Sequence, residues 1–339
     1  MGDVALVVPV IKGMREHYPD VELVLVTRPA FAPFFQSIEG VTLIYPDLGE
    51  RHKGFFGLFR LFADIRKEGK IDFVIDLHDV LRSKVIRTLF RFSGIRAAVI
   101  DKGREEKKNI ITGKTRAQLK HSVERYCDVF AAAGFDVEPS AGPWIIPSDD
   151  ALERVASMVS NHGNLDIGVA PYAKHDLKVW PEEKMIRLLE LISEKYSATF
   201  WLFGGLEDVE KLESLQSVIK DSHNLAGRLT LEEELARMSR LDLMIAMDSS
   251  NMHMAALSGT RVISIWGGTD PVTGFGAWMQ PLMYSVRIPA EELPCRPCTV
   301  YGKGECRRKD FACMNTLSPE MVLSRIEKVI AGKNLNQNK

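Results

Sequence analysis

The chain has 339 residues, enough for two domains of ordinary size, and 45% hydrophobic with 26% charged residues is a composition typical of globular proteins. Its 44 basic and 45 acidic residues leave a net charge of −1, which gives no argument for nucleic acid as a partner. No apolar run reaches the roughly 20 residues that a membrane span needs, and no secretory signal is visible. We therefore expect a cytoplasmic protein that binds no nucleic acid.

Apolar, β-branched runs alternate with amphipathic segments, a pattern typical of parallel sheets built from βαβ units. In the first part of the chain the predicted strands are 21–27, 41–45, 73–77 and 97–100, and the predicted helices are 55–67, 80–92 and 119–133. The opening segment 4–11 is ambiguous. Its periodicity allows a strand, whereas Asp3 is a residue type that favours the start of a helix.

A polar, proline-containing segment at 136–150 is typical of a linker. The alternation then restarts, with predicted strands at 167–170, 199–203, 241–247 and 261–266 and predicted helices at 151–161, 181–195, 206–219, 231–238 and 319–331. We predict an α/β protein with two Rossmann-like domains, 1–150 and 151–332, and a cleft between them.

The segment 247–271 holds the densest group of candidate binding residues. Two predicted strands end there in polar or glycine-rich turns, and ligands bind at the carboxyl ends of parallel strands. Hydroxyls and bare backbone amides at such ends suit a phosphate or a sugar nucleotide. A single histidine on a helix is more often a packing residue than a catalyst. The candidates are Asp248, Ser249, Ser250, His253, Gly268 and Thr269.

Two further strand ends carry candidates. Lys174 and Lys178 precede a predicted helix, so they could bind a diphosphate together with backbone amides, or they could form a solvated basic loop. Glu207 follows Gly204-Gly205 and could accept hydrogen bonds from ribose hydroxyls, or could be an acid that a helix dipole favours.

Four of the five cysteines lie in the loop 295–313. Their spacing allows a structural zinc site, disulfides or free thiols, although the outer cysteines lack the paired spacing usual for zinc. The residues are Cys295, Cys298, Cys306 and Cys313.

These motifs, in this order, resemble glycosyltransferase family 9, the ADP-heptose:lipopolysaccharide heptosyltransferases. The matching segments are Gly2-Asp3-Val4 before Pro9, Lys178-Val179-Trp180-Pro181, the run from Asp248 to Ala256, the turn from Gly267 to Pro271, and the Cys-rich loop. The resemblance covers essentially the whole chain. It implies a GT-B fold, which consists of two Rossmann-like domains with the active site between them.

The resemblance also implies an inverting transfer of a heptose from ADP-heptose to the lipopolysaccharide inner core, with no metal or other cofactor. Asp3 would be the general base. Lys178 would hold the diphosphate and offset the charge on the ADP leaving group, and Glu207 would bind the ribose. Asp248 would contact the donor sugar or the diphosphate. The full donor-binding set would be Lys174, Lys178, Glu207, Asp248, Ser249, Ser250, His253, Gly268 and Thr269.

On the same basis, the first domain would bind the lipopolysaccharide acceptor, with Lys53, Arg82 and His121 as candidate contacts. The basic and aromatic segment 51–67 could meet anionic lipid headgroups at the inner face of the cytoplasmic membrane. It could equally be an amphipathic helix packed against the sheet.

Family members carry a strand before their GD motif, and this sequence has none before Gly2. We expect the first sheet to lack that strand, either because the fold lacks it or because the chain starts inside a longer protein. Two alternative functions stay open. The chain could use another nucleotide sugar, or it could bind a nucleotide with impaired catalysis.

Overall fold

A computed structural model of the chain describes residues 1–158, 160 and 164–337, with side chains described through residue 331. Among the helices of these residues, none combines the length and the apolar character that a bilayer crossing requires.

Contacts between Cα atoms divide the chain into two units. The first consists of residue 1 with 3–104 and 122–144, and the second of residue 2 with 105–121 and the chain from 145 onward. The sequence prediction placed a single boundary at 150. It thereby assigned the segment 105–121 to the first domain, whereas its contacts are with the second unit.

The helices and strands follow the predicted alternation. In chain order the α-helices are α1 Gly2–Ala5, α2 Val8–His17, α3 Gly54–Ile65, α4 Leu81–Phe92, α5 Arg104–Ile111, α6 Ser122–Ala132, α7 Asp149–Arg154, α8 Glu182–Lys195, α9 Val209–Val218, α10 Leu231–Met238, α11 Ser250–Leu257, α12 Ala312–Asn315 and α13 Pro319–Gln337. The strands are β1 Leu23–Val26, β2 Val41–Ile44, β3 Phe73–Asp76, β4 Arg96–Val99, β5 Leu165–Ala170, β6 Ala198–Leu202, β7 Ser222–Asn224, β8 Leu243–Met247, β9 Val262–Ile265 and β10 Ser285–Val286.

Most differences from the prediction are small shifts at element ends. The predicted helix 151–161 corresponds to α7, which ends at Arg154, and residues 159 and 161 of that prediction lie outside the described residues. The sequence did not predict α5, α12, β7 or β10. All four are short, and β7 and β10 have only 3 and 2 residues.

The first unit holds two separate pairs of parallel strands, β1 with β2 and β3 with β4. In the described part of the chain, no strand pairs with the second edge of β1 or of β3.

The ambiguous opening segment is helical, and Pro9 lies in the first turn of α2. Proline fits there because a helix leaves its first amides unpaired, whereas in a central strand it would remove a ladder hydrogen bond. Among the described residues, the segment 4–11 therefore adds no strand to either pair of the first unit.

The second unit is built on a six-stranded parallel sheet in the order β10-β9-β8-β5-β6-β7. β5 and β8 are neighbours although two strands separate them in sequence, so the winding direction reverses between them. Such a reversal opens a crevice at the carboxyl ends of the two strands. β6, β8 and β9 are buried along their whole length, as strands are when helices cover both faces of a sheet.

A buried ion pair joins α10 to the sheet. The guanidinium of Arg237, which is 1% exposed, lies 2.8 Å from Asp166 Oδ1 and 4.2 Å from the ring centre of Trp201. The indole Nε1 of Trp201 donates to the same carboxylate oxygen at 2.7 Å. Burial lowers the pKa of Arg237, and Asp166 opposes this shift. Asp166 is thus the counter-charge that makes a buried arginine tolerable.

We expect Asp166→Ala to lower the free energy of unfolding of the second unit by about 3 kcal/mol, because it leaves the guanidinium of Arg237 buried without its partner. Denaturant unfolding followed by tryptophan fluorescence measures the change. Arg187→Ala is the matched control, since it breaks exposed ion pairs to Glu190 and Glu194 and should cost less than about 1 kcal/mol. Equal losses of unfolding free energy in the two variants would show that the buried pair stabilises the fold no more than the exposed pairs do.

Candidate active site

An ion pair between two strand ends forms the centre of the candidate site. Lys178 closes a 3-10 turn that follows β5, and Asp248 directly follows β8. Lys178 Nζ lies 2.8 Å from Asp248 Oδ2, and the two side chains are only 16% and 7% exposed. An ammonium group has three N–H donors, so Lys178 retains donors for an anionic ligand while Asp248 holds it in place. This pair lies at the switch point of the sheet.

Three buried polar atoms in the same segments have no hydrogen-bond partner in the described part of the chain. They are Ser249 Oγ, His253 Nδ1 and Thr269 Oγ1. Ser249 is the N-cap residue of α11, yet its hydroxyl does not cap the helix. Leaving a buried polar group unpaired costs about 1–3 kcal/mol, and proteins rarely do so without a reason. A ligand with several acceptor oxygens would satisfy the hydroxyls.

His253 is an uncharged member of this group. Burial lowers the pKa of its imidazole to about 3, and the positive charges of His121 and Lys178 add to the shift. The ring is therefore neutral at physiological pH. It can make a hydrogen bond to a ligand, but it supplies no positive charge.

Arg296 fixes the turn that follows β9. Its side chain is 1% exposed, and its guanidinium lies 3.5 Å from a carboxylate oxygen of Asp270. It donates to four backbone carbonyls that the turn and a neighbouring loop present. These belong to Trp266, Gly267, Thr269 and Ile288. No sequence pattern pointed to Arg296, because three of the four carbonyls that it contacts lie 27–30 residues away along the chain.

Gly268 joins the turn to the two neighbouring segments. Its N–H donates to the carbonyl of Leu177 at 2.8 Å, and its carbonyl accepts from the N–H groups of Cys298 and Thr299 at 2.9 and 3.2 Å. A Cβ at this position would lie 3.1 Å from Cys298 Sγ, a tight contact. The N–H of Gly268 is therefore engaged within the protein, next to Lys178, and the contact of Gly268 with the donor stays a prediction.

The Cys-rich loop, 295–313, packs against Lys178. Gly302 has a φ of +80°, and a Cβ there would lie 2.7 Å from Lys178 Cγ. Burial lowers the pKa of His175, and the charges of Lys178, Lys303 and Lys174 lower it further. Lys303 is thus a cation of this region that the sequence analysis did not identify. Lys174 is exposed, so it faces solvent beside the buried pair.

The cysteines of this loop are free thiols. Nowhere among the described residues do three or more His, Cys, Asp or Glu side chains come together in a way that would hold a metal ion. Burial raises the pKa of Cys313 to about 11, so its thiol is protonated at neutral pH. The zinc interpretation of Cys295, Cys298, Cys306 and Cys313 therefore finds no ligand set in this arrangement.

Glu207, like Lys174, is an exposed member of the predicted donor-binding set in the second unit. It lies in a 3-10 turn, Leu206–Asp208, that follows the glycines after β6. The neighbouring Asp208 carboxylate accepts the N–H of Gly205 at 3.0 Å, so Asp208 fixes the turn and Glu207 stays open to solvent. Ser250, the first residue of α11, is half-buried.

The predicted base, Asp3, belongs to the first unit. It is exposed in the first turn of α1, and the hydroxyl of Tyr126 donates to its backbone carbonyl at 3.2 Å. Burial raises the pKa of Tyr126, and the nearby Asp3 carboxylate adds to the shift. The phenol consequently stays protonated and keeps its role as a donor to the Asp3 backbone.

The predicted acceptor contacts are divided between the two units. Lys53 precedes α3 and Arg82 lies in α4, and both are exposed in the first unit. His121 belongs to the second unit, where its Nε2 lies 2.9 Å from the Gly276 carbonyl and its ring packs on Trp278. The prediction that placed His121 in the first domain is wrong, because the sequence does not show which sheet the segment 105–121 contacts.

A cluster of charges that was not predicted from the sequence lies at the carboxyl end of β3. The buried Asp76 lies 2.8 Å from Arg87, and Arg87 lies 3.5 Å from Asp79. Lys84 and Arg104 approach Asp79 at 3.6 and 3.5 Å. Desolvation works against ionisation of Asp79, but the surrounding cations outweigh it and lower its pKa. Lys84 and Arg104 thus both lie next to the Asp79 carboxylate, which Arg87 also contacts.

The model of glycosyltransferase family 9 (heptosyltransferase) matches residues 58–306 of the chain. The chain is also 21% identical over 342 residues to a lipooligosaccharide heptosyltransferase 2 of Campylobacter jejuni, and this match covers 99% of the chain and 97% of the relative.

Two solved structures are similar over nearly the whole chain. A family 9 glycosyltransferase from Veillonella parvula has a TM-score of 0.75 at 20% identity and covers 98% of this chain and 94% of its own. The Escherichia coli ADP-heptose LPS heptosyltransferase II has a TM-score of 0.70 at 16% identity, with 98% and 96% covered. These likenesses confirm the predicted GT-B fold. Because the family model matches well over half of the sequence, the chain belongs to glycosyltransferase family 9, the heptosyltransferase family.

Proposed function

We propose that this family 9 enzyme moves a heptose from ADP-heptose to a sugar of the lipopolysaccharide inner core, with inversion at the anomeric carbon. The observation that carries the proposal is the buried Lys178–Asp248 pair with the hydroxyls of Ser249 and Thr269, which have no hydrogen-bond partner among the described residues. A cation together with hydroxyl donors at the carboxyl ends of parallel strands suits a diphosphate. The similar Escherichia coli enzyme is named for ADP-heptose, which supports the choice of donor.

In this proposal Lys178 stabilises the leaving group. Negative charge grows on the diphosphate as its bond to the sugar breaks, and a cation fixed in a partly buried site stabilises that charge without reorganising. The neutral ring of His253 can hydrogen-bond the donor, and Glu207 accepts from the ribose. Since Lys178 supplies the positive charge, the proposed reaction needs no metal ion or other cofactor.

We assign the role of general base to Asp3. As the acceptor hydroxyl attacks the anomeric carbon, its proton passes to the Asp3 carboxylate and ADP departs from the opposite face of the sugar. Asp3 is exposed and its backbone is held by Tyr126, which supports a fixed and accessible carboxylate. Lys53, Arg82 and the cations around Asp79 are candidate contacts for the anionic core acceptor.

We further propose that the protein contacts the inner face of the cytoplasmic membrane through α3. Phe55, Phe56 and Phe59 of this helix are 61%, 79% and 41% exposed. Lys53 and Arg60 beside them are exposed as well. Exposed aromatic rings flanked by cations suit an interface with anionic lipid, where the rings enter the headgroup region and the cations meet phosphate.

Asp3→Asn should lower kcat for heptose transfer about 10²–10⁴-fold, the usual contribution of a general base. The affinity for ADP should stay unchanged, because the base acts on the acceptor. ADP release in the presence of a heptose-deficient core acceptor measures transfer, and calorimetry measures ADP binding. Asp20→Asn removes another exposed acid of the same unit and should keep the normal rate.

Two results would contradict parts of this assignment. Unchanged transfer by Asp3→Asn would exclude Asp3 as the base. If the unsubstituted protein transfers no heptose and UDP or GDP raises its melting temperature more than ADP does, the donor is a different nucleotide sugar. Tight ADP binding without transfer would favour a nucleotide-binding protein with impaired catalysis.

Lys178→Ala should weaken ADP binding by about tenfold or more, because a charge-assisted hydrogen bond to the diphosphate is lost. Lys174→Ala, which removes an exposed cation near the same turn, should have an effect of less than about threefold. Calorimetric titration with ADP measures both. Equal effects would mean that the buried pair is not the diphosphate contact.

Loss of Lys178 also leaves Asp248 buried without its counter-charge, which by itself destabilises the fold. The double variant Lys178→Ala, Asp248→Asn removes both charges. It should recover melting temperature relative to Lys178→Ala without recovering ADP affinity. If affinity returns together with stability, Lys178 has a structural role only.

The triple variant Phe55→Ser, Phe56→Ser, Phe59→Ser should reduce binding to vesicles of phosphatidylglycerol and phosphatidylethanolamine by about tenfold or more. Co-sedimentation measures the bound fraction. Added salt should weaken binding of the unsubstituted protein, since part of the attraction is electrostatic. Leu206→Ser, which replaces a 79% exposed side chain in the second unit, is the control. Vesicle binding that the triple variant retains would exclude α3 as the contact.

A further inference from the structure

A cavity lies in the second unit, at the edge of the sheet beyond β10. Its volume is about 510 Å³, within the range of about 300–1,000 Å³ that small-molecule sites occupy. Its walls come from the segment 105–121, the loop after β10 and the first turns of α13. In the described part of the chain, none of the donor-site side chains Lys178, Asp248 or Thr269 lines it.

Three arginines line this cavity, and their positive charge is only partly compensated. Arg325 is half-buried on α13 and has no ion pair or hydrogen bond among the described residues. Among the described residues, Arg116 has one hydrogen bond, to the backbone carbonyl of Arg296 at 3.2 Å. Arg287 lies 3.1 Å from Asp270, but that carboxylate also faces Arg296 at 3.5 Å. The carboxylate of Glu291 also lines the cavity. Arg116 and Arg325 have no carboxylate partner in the described part of the chain.

The same cavity also exposes apolar side chains. Leu282, Met283 and Met321 line it and are 54%, 47% and 40% exposed. Methionine side chains are flexible and polarisable, so they adapt to apolar ligands of different shapes. A cavity with guanidinium groups and an adaptable apolar wall matches a ligand with one anionic end and one apolar end.

We propose that this cavity is a second ligand site, which binds a phosphate or carboxylate group between Arg116 and Arg325 and packs the apolar body of the ligand on Met283 and Met321. The guanidinium groups supply planar, charge-assisted hydrogen bonds to the anion. Burial of the methionines supplies an apolar contribution that a free inorganic anion cannot use. A lipid headgroup with its chain and a free phosphorylated metabolite share this chemistry.

Isothermal titration calorimetry with hexyl phosphate, inorganic phosphate and hexanol tests the two halves of the site. Hexyl phosphate should bind more tightly than either of the others, because only it has both ends. Phenyl phosphate then distinguishes the sources, since a lipid-like site prefers the flexible chain and a metabolite site prefers the compact ring. Inorganic phosphate that binds as tightly as hexyl phosphate would overturn the apolar half of the proposal.

Single substitutions test whether hexyl phosphate binds in this cavity. Arg325→Ala should weaken hexyl phosphate binding by about tenfold or more. Lys328→Ala removes an exposed cation from the same helix, outside the cavity, and should leave binding unchanged. Lys178→Ala should also leave it unchanged, which separates this site from the proposed diphosphate contact. Arg116→Ala provides a second test if Arg325→Ala unfolds. Loss of binding in Lys178→Ala, or retention in both arginine variants, would overturn the proposal.

Discussion

The buried guanidinium of Arg296 is the interaction on which the donor side of the site depends. Four backbone carbonyls and the carboxylate of Asp270 converge on it, and no other cationic side chain could satisfy so many acceptors in one plane. It fixes Thr269 directly through the Thr269 carbonyl. It also fixes Gly267, and the next residue, Gly268, binds the carbonyl of Leu177 beside Lys178. Thr269 and the turn that carries Lys178 are therefore held by one backbone framework.

The charges of the site follow from burial. A lysine as buried as Lys178 would be costly without a partner, and Asp248 at 2.8 Å is that partner. His253 lies in the same region but carries no charge, because burial lowers its pKa to about 3. The charges of the buried side chains in the site therefore cancel before any ligand binds. A diphosphate would bring negative charge to Lys178, Ser249 and Thr269, and the two hydroxyls have no hydrogen-bond partner in the described part of the chain.

The sequence predicted those features that local patterns determine. It predicted α10 with both ends correct, and in the structure Thr230 and Glu233 form a capping box at the helix start. It also located Lys178 and Asp248, since polar residues at the ends of buried strands are a local signal. It did not predict Arg296, the engaged amide of Gly268 or the charges around Asp79. Each of these depends on which distant segments pack together, and no local pattern in one sequence records that.

The segment 105–121 shows how that long-range packing links the two candidate sites of the second unit. Leu119 donates to the carbonyl of Val272, and Lys107 lies 4.2 Å from the ring centre of Phe275, so the segment is fastened to the chain just after Asp270. Arg116 of this segment donates to the carbonyl of Arg296. Arg296 therefore contacts the turn after β9 with its side chain, and its backbone carbonyl binds Arg116 in the wall of the cavity.

Asp270 has the same double position, since it pairs with Arg296 behind the donor turn and with Arg287 in the cavity. A substitution at Asp270 or Arg296 would consequently disturb both regions, and a loss of activity would not reveal which one failed. Lys178 and Arg325 each belong to one region only. Because Arg296 and Asp270 contribute to both regions, the two sites must be tested separately by substitutions elsewhere, such as at Lys178 and Arg325.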